Sequence, residues 1–263
     1  MEQRKTHKVV PGCQCGNKNL PITHLGIYFE LLSSLLKKDG TFWFRGHSDI
    51  IWSLTPSALR DSNKEKRDKA LSLIADFKLY SEMKLRKIPD PNDELGWIQV
   101  AQHYGLPTRL LDWTKNAAIA LYFACYDKSE DDGAVFLLNP IDLNRVASTK
   151  ESRVFDPHKD SDLIKKYLKL EGGLNPGGLK TIAINPTWNS ERITLQQGVF
   201  TLHGSRFFTL DDKQASSLVY LKINRTDKRD LLQELERIGI NEMSIFPETE
   251  HMCRYLKRRE NLC

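Results

Sequence analysis

The chain has 263 residues, a formal net charge of +5 and a hydrophobic content of 40%. That hydrophobic content excludes a disordered chain, and 15 glycines and 11 prolines without a repeat exclude a collagen-like or low-complexity protein. The length allows one large domain with a substantial core. The mildly basic balance is compatible with an anionic partner such as a nucleic acid or a dinucleotide, although ordinary enzymes often share it.

The first half of the chain shows clear helical and extended patterns. Residues 115–126 are apolar almost all round, so we expect that helix to be buried. In chain order the patterns predict a polar lead-in over 1–20, a helix over 25–38, a strand over 41–46, a turn or short helix over 56–59, helices over 68–87 and 93–104, a strand over 108–113 and the helix over 115–126.

The second half is less regular. It predicts a strand over 133–138, an irregular stretch over 141–186 around a helix at 161–170, strands over 192–195 and 199–202, a strand over 217–223 and a helix over 227–238. Helices and short strands alternate without βαβ regularity. We therefore expect an α+β fold with a small, mostly antiparallel sheet and flanking helices.

Location and metal content are predicted from composition. No apolar run is long enough to span a bilayer, and no apolar segment of a secretory signal follows the basic N-terminus. The five cysteines show no framework spacing, which favours reduced thiols and a cytoplasmic protein. Cys13 and Cys15 form a CxC without a second ligand pair nearby, so we expect no metal and no membrane contact.

The first candidate site lies at Arg45 and Gly46, at the end of an aromatic strand. A guanidinium is a rigid donor fork suited to phosphate or carboxylate, and glycine allows a ligand or a backbone to approach closely. The alternative is structural: Arg45 pairs with a carboxylate and holds the sheet together.

The second candidate site is the polar run between two apolar helices, residues 102–114. His103 is a candidate acid, base or ribose donor. Thr108 and Asp112 share one face of a regular strand, and Arg109 faces the other way. The alternative is that Asp112 caps the following helix with Arg109 as its ion-pair partner, and that Trp113 is a core residue rather than a stacking surface.

The third candidate is the segment 191–201, where Gln196, Gln197 and Gly198 separate two predicted strands. The amides are candidates to hold a ligand base, and a plain hairpin turn is the alternative. The sequence contains no Rossmann fingerprint, Walker A motif, zinc-hydrolase motif or Gly-x-Ser-x-Gly. The residues alone therefore predict only an α+β protein with a polar site containing arginine and histidine.

Several motifs together resemble the FRG domain family, named after its Phe/Tyr-Arg-Gly motif. They are Phe44–Arg45–Gly46, the block AQHYGLPTRLLDWT over 101–114, the apolar helix that follows, RITLQQGVFT over 192–201 and IGINEMSIFP over 238–247. The resemblance spans residues 41–257. It leaves 1–40 as an N-terminal lead-in and helix and 258–263 as a basic C-terminal tail.

The order of these motifs is similar to that of mono-ADP-ribosyltransferases of the Arg–Ser–Glu type. This likeness implies a split sheet, NAD as co-substrate and a nucleic acid, preferably RNA, as acceptor. The implied catalytic residues are Arg45, His103, Asp112, Glu191 and Arg192. The implied NAD-binding residues are Arg45, Gly46, Tyr104, Thr108, Trp113 and Gln197, and the implied acceptor-binding residues are Arg109 and Arg192.

The sequence differs from these transferases at the position of the catalytic glutamate, which is Arg192 in this chain. Glu191 and Asp112 are the acids that remain to stabilise positive charge developing on the ribose. The resemblance further implies a toxin or anti-phage effector with a neutralising antitoxin. The alternative is a nucleic-acid-binding or sensor module without catalysis, in which the arginines contact phosphates over an open face.

Overall fold

The computed structural model describes residues 14–16, 20–36, 40–85, 87–127, 130–147, 151–168, 179–187, 190–204, 217–260 and 262. Within them the predicted α+β class is confirmed, with one seven-stranded sheet in the order β1-β7-β4-β2-β3-β6-β5. The strands are β1 Gln14–Cys15, β2 Trp43–His47, β3 Leu110–Thr114, β4 Gly133–Leu138, β5 Ile182–Ile184, β6 Gly198–Leu202 and β7 Leu218–Ile223. The sheet is mixed, because β1 pairs with β7 in parallel and the other neighbouring strands pair antiparallel.

Helices flank this sheet. They are α1 Leu25–Leu35, α2 Lys64–Ser81, α3 Glu94–His103, α4 Ala117–Cys125, α5 Pro140–Ala147, α6 Ser161–Leu168, α7 Glu191–Leu195, α8 Lys228–Arg237, α9 Glu242–Ile245 and α10 Thr249–Arg259, with a 3₁₀ turn at Ser57–Leu59. Among the described residues, no helix combines the length and apolar character that crossing a bilayer requires.

The predicted strand over 192–195 is wrong, because these residues belong to α7. Ser190 caps that helix by accepting a hydrogen bond from the backbone N–H of Ile193. Gln197 has φ of +48° and ends the turn before β6, so the amide-rich segment joins a helix to a strand and is no hairpin. The β-branched Ile193 and Thr194 favoured a strand in the sequence, and the cap outweighed that preference.

Two further corrections concern the segments predicted to be irregular. Part of the lead-in is ordered as β1, whose two residues pair with Val219 and Tyr220 of β7. The stretch over 141–186 contains α5 and β5, and Asn144 of α5 donates hydrogen bonds to the carbonyls of Arg153 and Ala183. Cys13 of the CxC and the end of the helix predicted over 161–170 lie outside the described residues.

Helix α4 packs against the centre of the sheet, as its apolar sequence predicts. Its buried residues join those of β2, β4, β7 and α8 in one hydrophobic cluster. Asn116 precedes the helix, and its side chain accepts hydrogen bonds from the N–H groups of Ala118 and Ile119. The alternative that Asp112 caps this helix is therefore wrong.

We expect Asn116→Ala to lower the free energy of unfolding by about 1 kcal/mol, because two N–H groups of α4 would lose their acceptor. Lys115→Ala, the matched control, removes an exposed side chain next to Asn116 and is expected to change that energy by less than about 0.5 kcal/mol. Urea unfolding followed by circular dichroism measures both. Equal losses in the two variants would contradict the assignment of the cap.

The sheet separates between β2 and β3. These two strands pair only at Phe44 and Thr114. In contrast, β2 pairs with β4 over five residue pairs, and β3 pairs with β6 over five. The two parts of the sheet therefore meet at one point, and beyond it the strand edges face a cavity.

Candidate functional site

A cavity of about 260 Å³ opens where β2 and β3 separate. Its walls come from β2, β3 and β6, from α3 and α7, and from Phe123 of α4. Seven of the residues predicted from the sequence line it: Arg45, Gly46, His103, Asp112, Trp113, Arg192 and the candidate amide Gln196. The fold thus brings together one arginine from the first long strand, a histidine and an aspartate from the middle block, and an arginine from the third segment.

Arg45 spans the gap between the two parts of the sheet. Its Nη1 donates a hydrogen bond of 2.6 Å to the backbone carbonyl of Asp112, and its Nε donates one of 2.9 Å to Nε2 of His47. The carboxylate of Asp112 lies 3.9 Å from Nη1. Two of the donors in the guanidinium fork are therefore used to fix its orientation.

Burial controls the charge states around Arg45. It lowers the pKa of Arg45 to about 10, an effect that Asp112 opposes and Arg60 reinforces, so the guanidinium stays protonated at neutral pH. Burial and the charge of Arg45 hold the pKa of His47 well below its usual value. His47 is consequently neutral and can accept the hydrogen bond from Arg45.

A chain of polar side chains holds Asp112 at the cavity wall. Gln102 donates a hydrogen bond of 2.7 Å from Nε2 to Oδ1 of Asp112. The hydroxyl of Thr108 in turn donates to Oε1 of Gln102. The side chain of Asp112 is 62% exposed, so its second oxygen remains accessible to a ligand.

His103 ends α3 and faces two charged groups. Its Nε2 lies 3.6 Å from a carboxylate oxygen of Glu248. Burial lowers the pKa of His103, Glu248 raises it, and Arg192 lowers it. The net shift is downward, so the imidazole is neutral at pH 7 and able to accept a proton.

Arg192 sits at the mouth of the cavity on α7. Its guanidinium carbon lies 5.1 Å from the centre of the Phe246 ring, a cation–π contact, and its Nη1 lies 3.9 Å from Glu248. These two contacts come from the C-terminal part of the chain, and they hold the guanidinium beside His103.

The remaining predicted site residues lie outside this cavity. Tyr104 is 63% exposed and contacts the ring of Phe77, and Glu191 and Gln197 are exposed on and after α7. Thr108 and Arg109 line a different hollow of about 300 Å³, between α2, α3 and Leu168. Arg109 donates to the carbonyl of Gly204, and within the described residues Asp112 pairs with Arg45 rather than with Arg109 as predicted.

Trp113 and Gly46 line the cavity mainly as parts of the core. Trp113 is 3% exposed, and its indole N–H donates to the hydroxyl of Thr201. A Cβ at Gly46 would lie 2.0 Å from the carbonyl oxygen of Ala120. The glycine therefore serves the close approach of α4 to β2, rather than that of a ligand.

Three contributors were missed in the sequence. His47 follows Arg45 by two positions. Because side chains alternate between the two faces of a strand, the sequence predicts that both residues lie on the same face. Gln102 belongs to the predicted polar block, but the sequence does not indicate that it contacts Asp112. Glu248 offered no signal, because its partners His103 and Arg192 are far away in the chain.

A second hollow of about 490 Å³ adjoins the first and shares Arg45, Gly46 and Phe123 with it. Its walls also carry Trp52, which is 44% exposed, and Arg60. Arg45 thus stands at the junction of two hollows, with aromatic and cationic groups on its far side.

Comparisons with known proteins give one family match. Searches of curated proteins and of solved structures each found no significant match. The matched segment runs from just before β2 to the first residue of β4, so it contains Arg45, His103 and Asp112 but not Arg192 or Glu248. Residues 40–133 of the chain match the FRG domain.

Proposed function

We propose that this protein is an NAD-dependent ADP-ribosyltransferase whose acceptor is a nucleic acid. The observation that carries the proposal is the convergence of Arg45, His103, Asp112 and Arg192 on one cavity at the split of the sheet. A module that only binds phosphates has no need to gather an imidazole and a carboxylate beside its arginines.

Arg45 is assigned to the diphosphate of NAD. Its Nε and Nη1 are engaged by His47 and Asp112, whereas its Nη2 donates to no described residue. A guanidinium that is held in place and keeps free donors is preorganised for a diphosphate oxygen. Burial strengthens that interaction, since the surrounding dielectric is low.

The two hollows together match the two halves of a dinucleotide. Pockets for ligands of this size span ~300–1,000 Å³, so the 260 Å³ cavity is too small for the whole molecule. We place the nicotinamide riboside beside His103 and Asp112, the diphosphate over Arg45, and the adenosine in the second hollow. There Trp52 offers a stacking surface and Arg60 a second cation.

The chemistry follows from the charges in the first hollow. The bond between C1′ of the ribose and nicotinamide breaks, and nicotinamide leaves with the bonding electron pair. Positive charge then develops at C1′, and the carboxylate of Asp112 stabilises it. An N–H or O–H group of the acceptor forms the new bond to C1′, and its proton passes to the neutral imidazole of His103.

A nucleic acid is the favoured acceptor class because Arg192 lies at the mouth of the cavity, where it can hold an acceptor phosphate. Arg109 is not assigned to acceptor binding, because it is buried and donates a hydrogen bond to the carbonyl of Gly204. An acceptor base must reach the cavity from a single strand or in a flipped conformation. We also propose a partner protein that neutralises the enzyme, because its free activity would harm the host.

Labelled NAD incubated separately with RNA, DNA and protein tests this function. We expect label in RNA, and we expect Asp112→Asn to reduce its incorporation by about 10²-fold or more. Asparagine keeps the shape of the side chain and an acceptor for Gln102, so the loss reports the missing charge. Asp142→Asn, an exposed position on α5 away from the cavity, is the matched control.

The results separate the two candidate classes. Label in no pool, together with intact NAD, would contradict the transferase and leave a nucleic-acid-binding module. Equal incorporation by the Asp112 and Asp142 variants would remove Asp112 from the reaction.

A further inference from the structure

Glu248 lies between two groups of the candidate site, although it does not line the cavity itself. Its Oε1 is 3.6 Å from Nε2 of His103 and 3.9 Å from Nη1 of Arg192. Both partners line the cavity. One carboxylate oxygen thus faces the imidazole and the guanidinium at once.

The second carboxylate oxygen shows that this arrangement is costly. Oε2 of Glu248 is buried and has no hydrogen-bond partner among the described residues, and the same holds for Nδ1 of His103. An unsatisfied buried polar atom costs ~1–3 kcal/mol. Buried polar atoms without a protein partner are unusual, and a role of Glu248 and His103 in the adjoining site is one explanation for them.

Glu248 is held from both sides along the chain. On the N-terminal side, the Phe246 ring lies under Arg192 and stacks on His251 with ring centres 3.9 Å apart. On the C-terminal side, Glu248 directly precedes α10, a helix without a single buried residue. Something other than apolar burial must therefore keep this helix in place.

That attachment is an ionic cluster around Glu242. The carboxylate of Glu242 is fully buried and contacts His251 at 2.8 Å, Arg254 at 3.0 Å and Arg258, all on α10. Tyr126 adds a hydrogen bond of 2.8 Å to the same carboxylate. The cluster fixes α10 and, with it, the position of Glu248.

We infer that Glu248 is a positioning residue, which orients His103 and holds Arg192 at the cavity mouth. Because Nδ1 of His103 is buried, Nε2, which faces the carboxylate of Glu248, is the nitrogen available to take a proton. The same charge stabilises the imidazolium once His103 has taken a proton. The effect on catalysis rests on the proposed function, but the effect on His103 does not.

The titration of His103 measures this role directly. The charged groups that face His103 are Glu248, which raises its pKa, and Arg192, which lowers it. We expect Glu248→Gln to lower the pKa of His103 and Arg192→Gln to raise it, both relative to the unmodified protein. Two-dimensional NMR of the imidazole carbons over pH 4–9 gives the values, with His103→Gln used to assign the signal.

Activity supplies the second readout. In Glu248→Gln we expect kcat/KM for NAD to fall roughly 10- to 100-fold, as when a partner that orients a functional imidazole is removed. The pH at which the activity rises should move downward with the pKa of His103. Glu248→Asp keeps the charge and should restore part of both effects, which a purely structural contact would not do.

Glu191→Gln is the matched control, because it removes an exposed acid that directly precedes Arg192 on α7 and makes no described contact with His103. An unchanged pKa of His103 in Glu248→Gln, or an equal shift in Glu191→Gln, would overturn the proposal. A shifted pKa in a protein that consumes no NAD would leave the positioning role intact and reject the transferase. If Glu248→Gln fails to fold, the pKa of His103 in Arg192→Gln becomes the deciding measurement. A fall of that pKa, instead of the expected rise, would overturn the proposal.

Discussion

Arg45→Lys is expected to reduce kcat/KM for NAD by about 10²–10³-fold while the protein stays folded. Lysine keeps the positive charge but replaces a planar fork with a single ammonium group. Its three donors sit on one nitrogen, so it cannot reproduce the fork whose separate nitrogens bind His47, the carbonyl of Asp112 and a diphosphate oxygen. Steady-state kinetics and thermal unfolding of the same preparation measure the two properties.

The same variant distinguishes the two roles that the sequence left open for Arg45. The structure places its guanidinium across the split of the sheet, so it does connect β2 with β3. If that were its whole role, Arg45→Lys would lower the unfolding temperature and leave kcat/KM unchanged. Arg145→Lys, on the exposed side of α5, is the matched control and should change neither property.

Gly46→Ala is expected to lower the free energy of unfolding by roughly 3 kcal/mol or more. The new Cβ would lie 2.0 Å from the carbonyl oxygen of Ala120 and 2.5 Å from the backbone nitrogen of Ala124. Both atoms belong to the backbone of α4, which cannot rotate away as a side chain can. Helix α4 must therefore move off the sheet, and the cavity wall moves with it.

Gly198→Ala is the matched control for this prediction. Gly198 also lies in a strand and lines the cavity, but its Cβ would meet Ile193 at 3.4 Å, an ordinary contact. Urea denaturation with comparison of the m-values separates a loss of stability from a change in compactness. Similar losses in the two alanine variants would contradict the packing argument.

Local patterns predicted the elements that carry the first part of the site. Helix α4 is apolar on every side, and α3 is followed by Gly105, whose φ of +89° ends the helix as expected. These signals depend on neighbouring residues along the chain, so they are readable without the fold. The aromatic strand at Arg45 was predicted in the same way, although β2 continues to His47 and Arg45 is its central residue.

Other features depended on contacts between distant segments. Arg109 and Tyr104 belong to the same polar block as His103 and Asp112, yet neither of them lines the cavity. Which side chains of an irregular run face inward depends on where the strand begins, and β3 begins at Leu110 rather than at 108. The residue where a strand begins cannot be predicted from the residue types alone.

The amino-acid order was sufficient for the α+β class and for the buried helix, because periodicity is a local property. The choice of Arg45, His103, Asp112 and Arg192 as catalytic candidates also depended on the family resemblance. The convergence of these four on one cavity came from the separation of β2 and β3, which a linear pattern does not encode. The place of Glu248 beside His103 came from the ionic attachment of α10 at Glu242. The contact between Glu248 and His103 joins residues more than a hundred positions apart, and its geometry exists only once the chain has folded.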